Sequence, residues 1–499
     1  MGILKRHFPF GLGTSRFPIS GPGDAKGIEA SVKLVLRALE AGVDYIDIGY
    51  SYSAGVAMSV LKRAFQETKR PFGVTVKVQY GKDYTAADTK KRVMFYLESM
   101  GLKKAQYFTC WSIQSYDEFE KIMEKGGIYD GALKLRSEGL IDHICASLHA
   151  APEEMIKIIE SGAFEAVTVS YSLLNAVQMQ PVLDAAYQKN VSVIVMNPLG
   201  GGIIPQAGSY FSFACLEKDE GNIVHAALRF AKAHPAVDIV LGGVSAEAEL
   251  KDSLGIFTSE DTQAAVRLPR VLEQAGNLEG FCTGCRYCEG CPKGIPTYAL
   301  MQAGNALLFP PVPSYNRQQT KALLYDLQIF RKLYFDYDWL PDSGENPCVQ
   351  CGKCERSCTQ KLGIIKEVAD IYRRIKQRGY SVQARRKKIE ALICGQPYKK
   401  IGLYPSSVVA NEIISYCEKY LERPDIEWLL FNSSQALWGP DEYGRIVHSP
   451  EEIEALRPEM VLITTYRYDD EIARSLKVYE KQGIKVQRFY SDSDVPWTF

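Results

Sequence analysis

The chain has 499 residues, of which 59 are Lys or Arg and 59 are Asp or Glu, so its formal net charge is zero. Balanced charge gives no general pull toward nucleic acid or an anionic membrane surface, and no apolar stretch is long enough to span a bilayer. At roughly 150 residues per domain, about three domains are expected.

From residue 1 to 275, short apolar runs alternate with amphipathic stretches. The predicted strands are Phe8–Leu12, Tyr45–Ile48, Gly73–Val78, Gln106–Trp111, His143–Ser147, Ala166–Ser170, Val191–Met196 and Asp238–Leu241. Helical spacing falls between them, over Ala30–Ala41, Gly55–Thr68, Ala87–Met100 and Asp117–Glu138. Strands alternating with helices in this number predict a (β/α)8 TIM barrel, whose chemistry sits where strands end and loops begin.

Residues 276–392 form a cysteine block. Eight of the 13 cysteines fall in two runs: Cys282, Cys285, Cys288 and Cys291, then Cys348, Cys351, Cys354 and Cys358. Three thiolates two residues apart, with a fourth beyond, are how a chain wraps an iron–sulfur cube, the fourth ligand reaching the other cluster. Two 4Fe–4S clusters are therefore expected in a helical ferredoxin-like domain. Cys282, Cys285 and Cys288 would share one with Cys358, and Cys348, Cys351 and Cys354 the other with Cys291. The first run is one residue shorter before its last Cys than the common ferredoxin form, and Thr359 rather than Pro follows the second. Zinc is the competing metal, but its ribbons use paired CxxC motifs rather than triplets. Disulfides would need an oxidising compartment. The opening residues MGILKRHFPFGLG hold no apolar core of signal-peptide length, so the cytoplasm is expected. The remaining cysteines (Cys110, Cys145, Cys215, Cys394, Cys417) read as mostly buried small hydrophobes. An aromatic stretch over residues 323–342 reads as core packing more readily than as an electron route. The basic run from Arg373 to Lys388 reads as a solvated helix.

Residues 398–499 predict a small Rossmann-like α/β domain. Its strands are Lys399–Leu403, Trp428–Phe431, Met460–Thr464 and Val486–Phe489. Helices are predicted over Ser406–Leu421, near Pro450–Leu456, and over Asp470–Gln482. The first strand–helix turn, YPSSVVANEI, lacks the glycines that let a backbone approach a pyrophosphate, which argues against a dinucleotide site there.

Residues 1–392 together resemble the aldo/keto reductase family, in its iron–sulfur, ferredoxin-fused branch. The motifs are GVDYIDIGYSY with Asp47 and Tyr52, VTVKV with Lys77, SLH with Ser147, MNPLGGG, LGGVS, and then CTGCRYCEGCPKGI with CGKCE. The resemblance implies a carbonyl reductase in which Tyr52 donates a proton to substrate oxygen. Lys77 would lower the phenol's pKa from its usual value near 10, and Asp47 would hold Lys77. It also implies a nicotinamide coenzyme, NADP(H) or NAD(H), held at Ser147, Asn197, Leu199, Gly243 and Ser245. At the fourth catalytic position the family carries His and this chain carries Trp111. Its indole N–H donates a hydrogen bond but cannot exchange a proton, so Trp111 either binds substrate or fills the pocket. Other departures are Thr168 for a Gln, Met196 for the ring that stacks on nicotinamide, Val244 for a basic residue facing the ribose 2′-phosphate, with Lys251 further along, and Ser253 for an Asn. The glycines of Gly200–Gly202 also suit a plain tight turn.

A hydride carries two electrons and a cubane passes one. A flavin would bridge the two, or the clusters would be isolated from the barrel, or they would only fasten the fold. The expected activity is reduction of a small carbonyl compound, with a sugar-like compound as one candidate and a redox protein as a candidate partner. The alternative is a diverged barrel that transfers electrons or binds a partner.

Overall fold

The computed structural model describes residues 2–5, 7–216, 219, 221–258, 269, 271, 281–307, 346–358, 360–378, 382–394, 396–421 and 423–491. The aromatic stretch over 323–342 and Thr359 lie outside the described residues.

Eight parallel strands close into a barrel in simple chain order. They are β1 (Phe10–Gly13), β2 (Tyr45–Asp47), β3 (Gly73–Val78), β4 (Ala105–Ile113), β5 (Ile141–Leu148), β6 (Ala166–Ser170), β7 (Ser192–Met196) and β8 (Val237–Gly243). All residues of β3 and β6 are buried, in keeping with strands covered on both faces of a parallel sheet and rich in Val and Thr. The predicted bounds of these two strands are the observed ones. Tyr45, Tyr107, Ile194 and Ile239 form part of a core cluster that also takes in Leu4 of the N-terminal turn. Leu4 is anchored there by its backbone N–H, which donates to Ser192 Oγ at 3.1 Å.

Helix starts follow local capping chemistry. Asp24, Thr85 and Ser115 accept backbone N–H groups at the starts of Ala25–Glu40, Ala86–Met100 and Tyr116–Met123. The helix expected over Asp117–Glu138 is two helices, Tyr116–Met123 and Ile128–Ser137. Gly126 breaks it with a φ of +78°.

The chain divides into two compact units. One comprises residues 1–287 with 358–362, the other residues 288–357 with 363–499. The division thus runs through the cysteine block instead of at 275/276. Among its described residues Leu300, Met301, Ile364, Val368 and Ile371 are buried, and its last helix, Val382–Ile393, packs on residues of the C-terminal sheet and its helix. Ile389 and Ile393 of that helix are buried. Arg386 lies over the rings of Tyr416 and Tyr420, and Lys388 over Phe489. These two cations of the basic run therefore pack instead of being merely solvated.

The C-terminal sheet contains β9 (Lys400–Tyr404), β10 (Glu427–Phe431), β11 (Gly439–Pro440), β12 (Ile446–His448), β13 (Met460–Ile463) and β14 (Lys485–Arg488). Its strand order is β11-β12-β10-β9-β13-β14, and only β11 pairs antiparallel. Among the described residues no helix is long and apolar enough to cross a membrane.

Candidate active site

The barrel brings four of the sequence-predicted residues together at the carboxyl ends of β2, β3 and β4. Lys77 Nζ donates to Asp47 Oδ2 at 2.8 Å and to the Tyr52 hydroxyl oxygen at 3.1 Å. Asp47 and Lys77 are only 6% and 5% exposed, so the ion pair is shielded from water. Trp111 completes the group: its ring lies edge-on to Tyr52 at 5.9 Å and to Tyr50 at 5.6 Å, and Lys77 Nζ sits 5.5 Å from its centroid.

Local backbone features explain this convergence. Tyr52 opens a single 3-10 turn, Tyr52–Gly55. Gly49 makes room for it, because a Cβ there would lie 2.7 Å from the Tyr52 ring. Ser53 takes a left-handed φ of +49°, held by its hydroxyl donating to Thr14 O at 2.8 Å. Thr14 in turn donates to Asp47 O at 2.9 Å. On β4 the register against β5 shifts between Cys110 and Ile113, and Ser112 has φ +63°. Irregularities of this kind re-aim side chains beside active sites, and Trp111 stands at this one.

One expectation is corrected. Lys77 reaches Tyr52, yet the phenol's pKa lies well above its usual value, because burial and then the Asp47 carboxylate both oppose the phenolate. The site keeps Tyr52 protonated.

The positions expected to hold coenzyme are spread around the same rim. Ser147 Oγ lies 2.9 Å from His149 Nε2, a partner not singled out from the sequence. Asn197 has φ +54°, and its carbonyl accepts Gly200 N–H at 2.8 Å. Leu199 is half-buried and leads into Gly200–Gly202. Gly243 faces Arg16, whose side chain would lie 2.9 Å from a Cβ at that glycine. Ser245 is already engaged: its N–H and hydroxyl donate to Glu249 Oε2 at 2.8 and 3.0 Å. Arg16 comes from elsewhere in the chain, while Glu249 lies four residues beyond Ser245 in the first turn of the following helix.

The chain matches the aldo/keto reductase family over residues 9–267, just over half its length. It belongs to the aldo/keto reductase family. Membership makes it an oxidoreductase. Similar solved structures include an aldo-keto reductase from Klebsiella pneumoniae in complex with NADPH, at 16% identity, covering 53% of this chain and 90% of that one with a TM-score of 0.43. The holo form of an aldo-keto reductase from Bacillus halodurans is 17% identical, covering 54% and 92%, with a TM-score of 0.43. A thermostable aldo-keto reductase bound to the inhibitor epalrestat is 16% identical, covering 54% and 94%, with a TM-score of 0.44. No curated protein matches the chain.

The cysteines of this aldo/keto reductase divide between the two units. Cys282, Cys285 and Cys358 belong to the barrel unit. Gly284 N–H donates to Cys282 Sγ at 3.4 Å. The Cys358 thiol is pushed up foremost by burial, with nearby Cys285 adding to it. In the other unit, Cys288, Cys291, Cys348, Cys351 and Cys354 line one cavity, closed on its apolar side by Ile365 and Val368. Lys353 Nζ ties its two loops by donating to Gly290 O at 2.9 Å. Left-handed residues punctuate both runs: Gly284, Arg286 and Gly290 in the first, Gln350 and Gly352 in the second. Among the described residues no group of three or more Cys, His, Asp or Glu is gathered closely enough to hold a metal ion. Of the scattered cysteines, Cys110, Cys145 and Cys417 are buried, Cys215 is half-buried and Cys394 is exposed.

Proposed function

We propose that the barrel reduces a small carbonyl compound with Tyr52 as proton donor. The observation that carries this reading is the pair of hydrogen bonds from Lys77 Nζ to Asp47 and to the Tyr52 hydroxyl. A nicotinamide coenzyme, when bound, supplies hydride to the carbonyl carbon. Tyr52 gives its proton to the carbonyl oxygen, which becomes the alcohol. The phenolate left behind faces the Lys77 ammonium at hydrogen-bond distance, and Asp47 keeps that ammonium in place. Trp111 walls the pocket and contributes no proton, since its indole N–H donates a hydrogen bond without giving the proton up.

The coenzyme we infer is NADH rather than NADPH. In barrels the loops after strands 7 and 8 often form a phosphate site at a helix N-terminus. Here the first turn of the helix Glu247–Phe257 carries Glu247 and Glu249, and Glu249 already takes both donors of Ser245. A ribose 2′-phosphate would have to displace one carboxylate and lie beside another. Like charges brought together cost several kcal/mol, so calorimetric titration is expected to give NADH a Kd at least about tenfold below that of NADPH. Glu249→Gln should narrow the gap. NADPH binding more tightly than NADH would overturn this inference, and no binding of either would favour the electron-transfer or partner-binding role.

The two cysteine runs we read as ligands of two 4Fe–4S clusters in a ferredoxin-like region. Three features support the fit. Thiolate sets of this spacing suit iron–sulfur clusters. Left-handed residues recur within both runs, and turns of this kind are the usual framework of N–H concavities that hold anions. Thr283, between Cys282 and Gly284, is 3% exposed and its hydroxyl has no hydrogen-bond partner among the described residues, leaving a donor that a sulfide or thiolate would satisfy. Protein purified without oxygen should carry about eight iron and eight sulfide per chain, the content of two cubanes. One or two zinc ions with no sulfide would sink the reading. The C-terminal sheet, whose parallel strands run β12-β10-β9-β13-β14, has the 3-2-1-4-5 order of a Rossmann-like sheet, and we assign it to that class.

A further inference from the structure

Two loops meet at the mouth of the barrel. The loop after β2 carries Tyr50 and, two residues on, Tyr52. Tyr50 is fixed by its backbone N–H, which donates to the Tyr96 hydroxyl at 2.8 Å. The loop after β3 carries Lys82 and Asp83. Its turn closes through the backbone N–H groups of both, which donate to Gln79 O at 3.2 and 3.0 Å. Asp83 is buried and grips Arg92, with Nε 3.2 Å from Oδ2 and Nη2 3.1 Å from Oδ1.

Lys82 Nζ donates to the Tyr50 hydroxyl oxygen and lies 5.1 Å from the centroid of that ring, and the Arg92 guanidinium lies 4.9 Å from the same centroid. Two cations thus meet at Tyr50 beside one carboxylate, Asp83, and Arg92 takes it. Lys82 is exposed and pairs with no carboxylate among the described residues. An ammonium has three donors, of which Tyr50 engages one, and the Tyr50 hydroxyl, accepting from Lys82, keeps its own proton to donate. Two donors therefore stand side by side, matching the two oxygens of a carboxylate. Tyr50 in turn meets Trp111 edge-on at 5.6 Å, and Trp111 meets Tyr52 edge-on at 5.9 Å. The Trp111 ring bridges the Lys82–Tyr50 pair and the proton donor.

We propose that Lys82, held by the Tyr50 hydroxyl, is the carboxylate-binding residue of the barrel site, which selects carbonyl compounds bearing a carboxylate several carbons from the reacting carbonyl. The inference rests on Tyr52 being the proton donor. With the carbonyl oxygen at Tyr52, the intervening methylenes lie along the Trp111 ring. The carboxylate then reaches the Lys82 ammonium, whose flexible stem adjusts to it. One uncommitted cation suits a single carboxylate rather than a phosphate, because Arg92, whose fork would clasp a phosphate, is already held by Asp83. An exposed charge pair strengthens binding by at most about fivefold, and a shielded charged hydrogen bond by about tenfold or more. A cation at the open mouth of a buried site should fall between them.

The test compares wild type, Lys82→Met, Lys82→Arg and Tyr52→Phe as full-length, cluster-loaded protein, matched in circular dichroism. Succinic semialdehyde and butyraldehyde are the substrates, aldehydes of equal carbon count that differ in a terminal carboxylate. The alcohol γ-hydroxybutyrate, titrated calorimetrically with coenzyme present, is a probe that needs no turnover. Lys82→Met should lower the semialdehyde-to-butyraldehyde ratio of kcat/KM by about fivefold to tenfold, mainly through KM, and weaken γ-hydroxybutyrate by the same factor. Lys82→Arg keeps the charge and should preserve both. Raising the salt from about 0.05 M to about 0.5 M should lower the wild-type ratio and leave that of Lys82→Met unmoved, since salt screens the charge and not the stem. A ratio and a γ-hydroxybutyrate Kd within twofold of wild type in Lys82→Met would overturn the inference, as would a wild type that binds no γ-hydroxybutyrate. If Tyr52→Phe turned over normally, the proton-donor reading itself would fail. A silent Lys82→Met beside an inactive Tyr52→Phe would fail only the inference about Lys82.

Discussion

Tyr52→Phe is expected to lower kcat for carbonyl reduction by roughly 10²- to 10⁴-fold, the usual range for removing a positioned general acid, while leaving the coenzyme Kd within about twofold. The substitution removes one oxygen and leaves a ring that still fits beside Gly49 and Trp111. What is lost is the proton and the acceptor that Lys77 reaches at 3.1 Å. The pH profile should carry the same signature. The active form is the protonated phenol, and burial with the Asp47 carboxylate moves its pKa upward. Activity that depends on Tyr52 is therefore fully present at neutral pH and is lost only as pH rises through that elevated value, above the ordinary phenol's range near 10. Steady-state kinetics between pH 6 and 10 should show no loss attributable to Tyr52. A tyrosine-dependent fall centred near pH 8, absent in Tyr52→Phe, would mean that Lys77 outweighs burial and that the sign assigned to the site is wrong.

How much of this was legible before the fold was known depends on whether the signal was local. The barrel was legible because each buried parallel strand writes itself as a short apolar run between helical stretches. Gly73–Val78 and Ala166–Ser170 coincide with β3 and β6. The break at Gly126 was missed because apolar spacing continues on both sides of it. Asp47, Tyr52 and Lys77 could be named from motifs, since each sits at or just beyond a strand end. The sign of the Tyr52 shift could not, because it depends on depth of burial rather than on which charge is adjacent. Nor could Arg16 against Gly243 or Thr283 against Gly201, where the partners meet through space. The three glycines at Gly200–Gly202 illustrate the limit. Their sequence announces a tight or unusual backbone, and only the fold shows that at Gly201 another chain segment passes too close for a side chain. The cysteine runs had clear spacing, but spacing does not say that Cys282 and Cys285 would fall in the barrel's unit and Cys288 and Cys291 in the other.

Removing the Asp47 carboxylate should destabilise the barrel more than any surface change. Lys77 is 5% exposed and Asp47 6%, with 2.8 Å between Nζ and Oδ2. In Asp47→Ala the ammonium stays buried with only the neutral Tyr52 oxygen as a described acceptor. Breaking a buried pair in this way costs about 3–5 kcal/mol. Asp47→Asn should cost less, since the amide oxygen still accepts. The double variant Asp47→Leu/Lys77→Met removes both charges, and apolar replacement of a buried pair is often neutral or stabilising, so it should recover most of the lost stability. It should not recover reduction, because Tyr52 would then have no cation to take up its charge. Because the chain has two units, a single melting temperature would mix their transitions. Hydrogen–deuterium exchange at the amides of β2 and β3 reads the barrel directly. Exchange there should accelerate strongly in Asp47→Ala, less in Asp47→Asn, and return toward wild type in the double variant. If the double variant were as labile as Asp47→Ala, the carboxylate would be holding the fold through something other than Lys77. The backbone of Asp47 cannot be that something: its carbonyl accepts from Thr14 at 2.9 Å in every one of these variants. The comparison thus separates the pair's contribution to stability from its contribution to chemistry, since the double variant is expected to be folded and inactive.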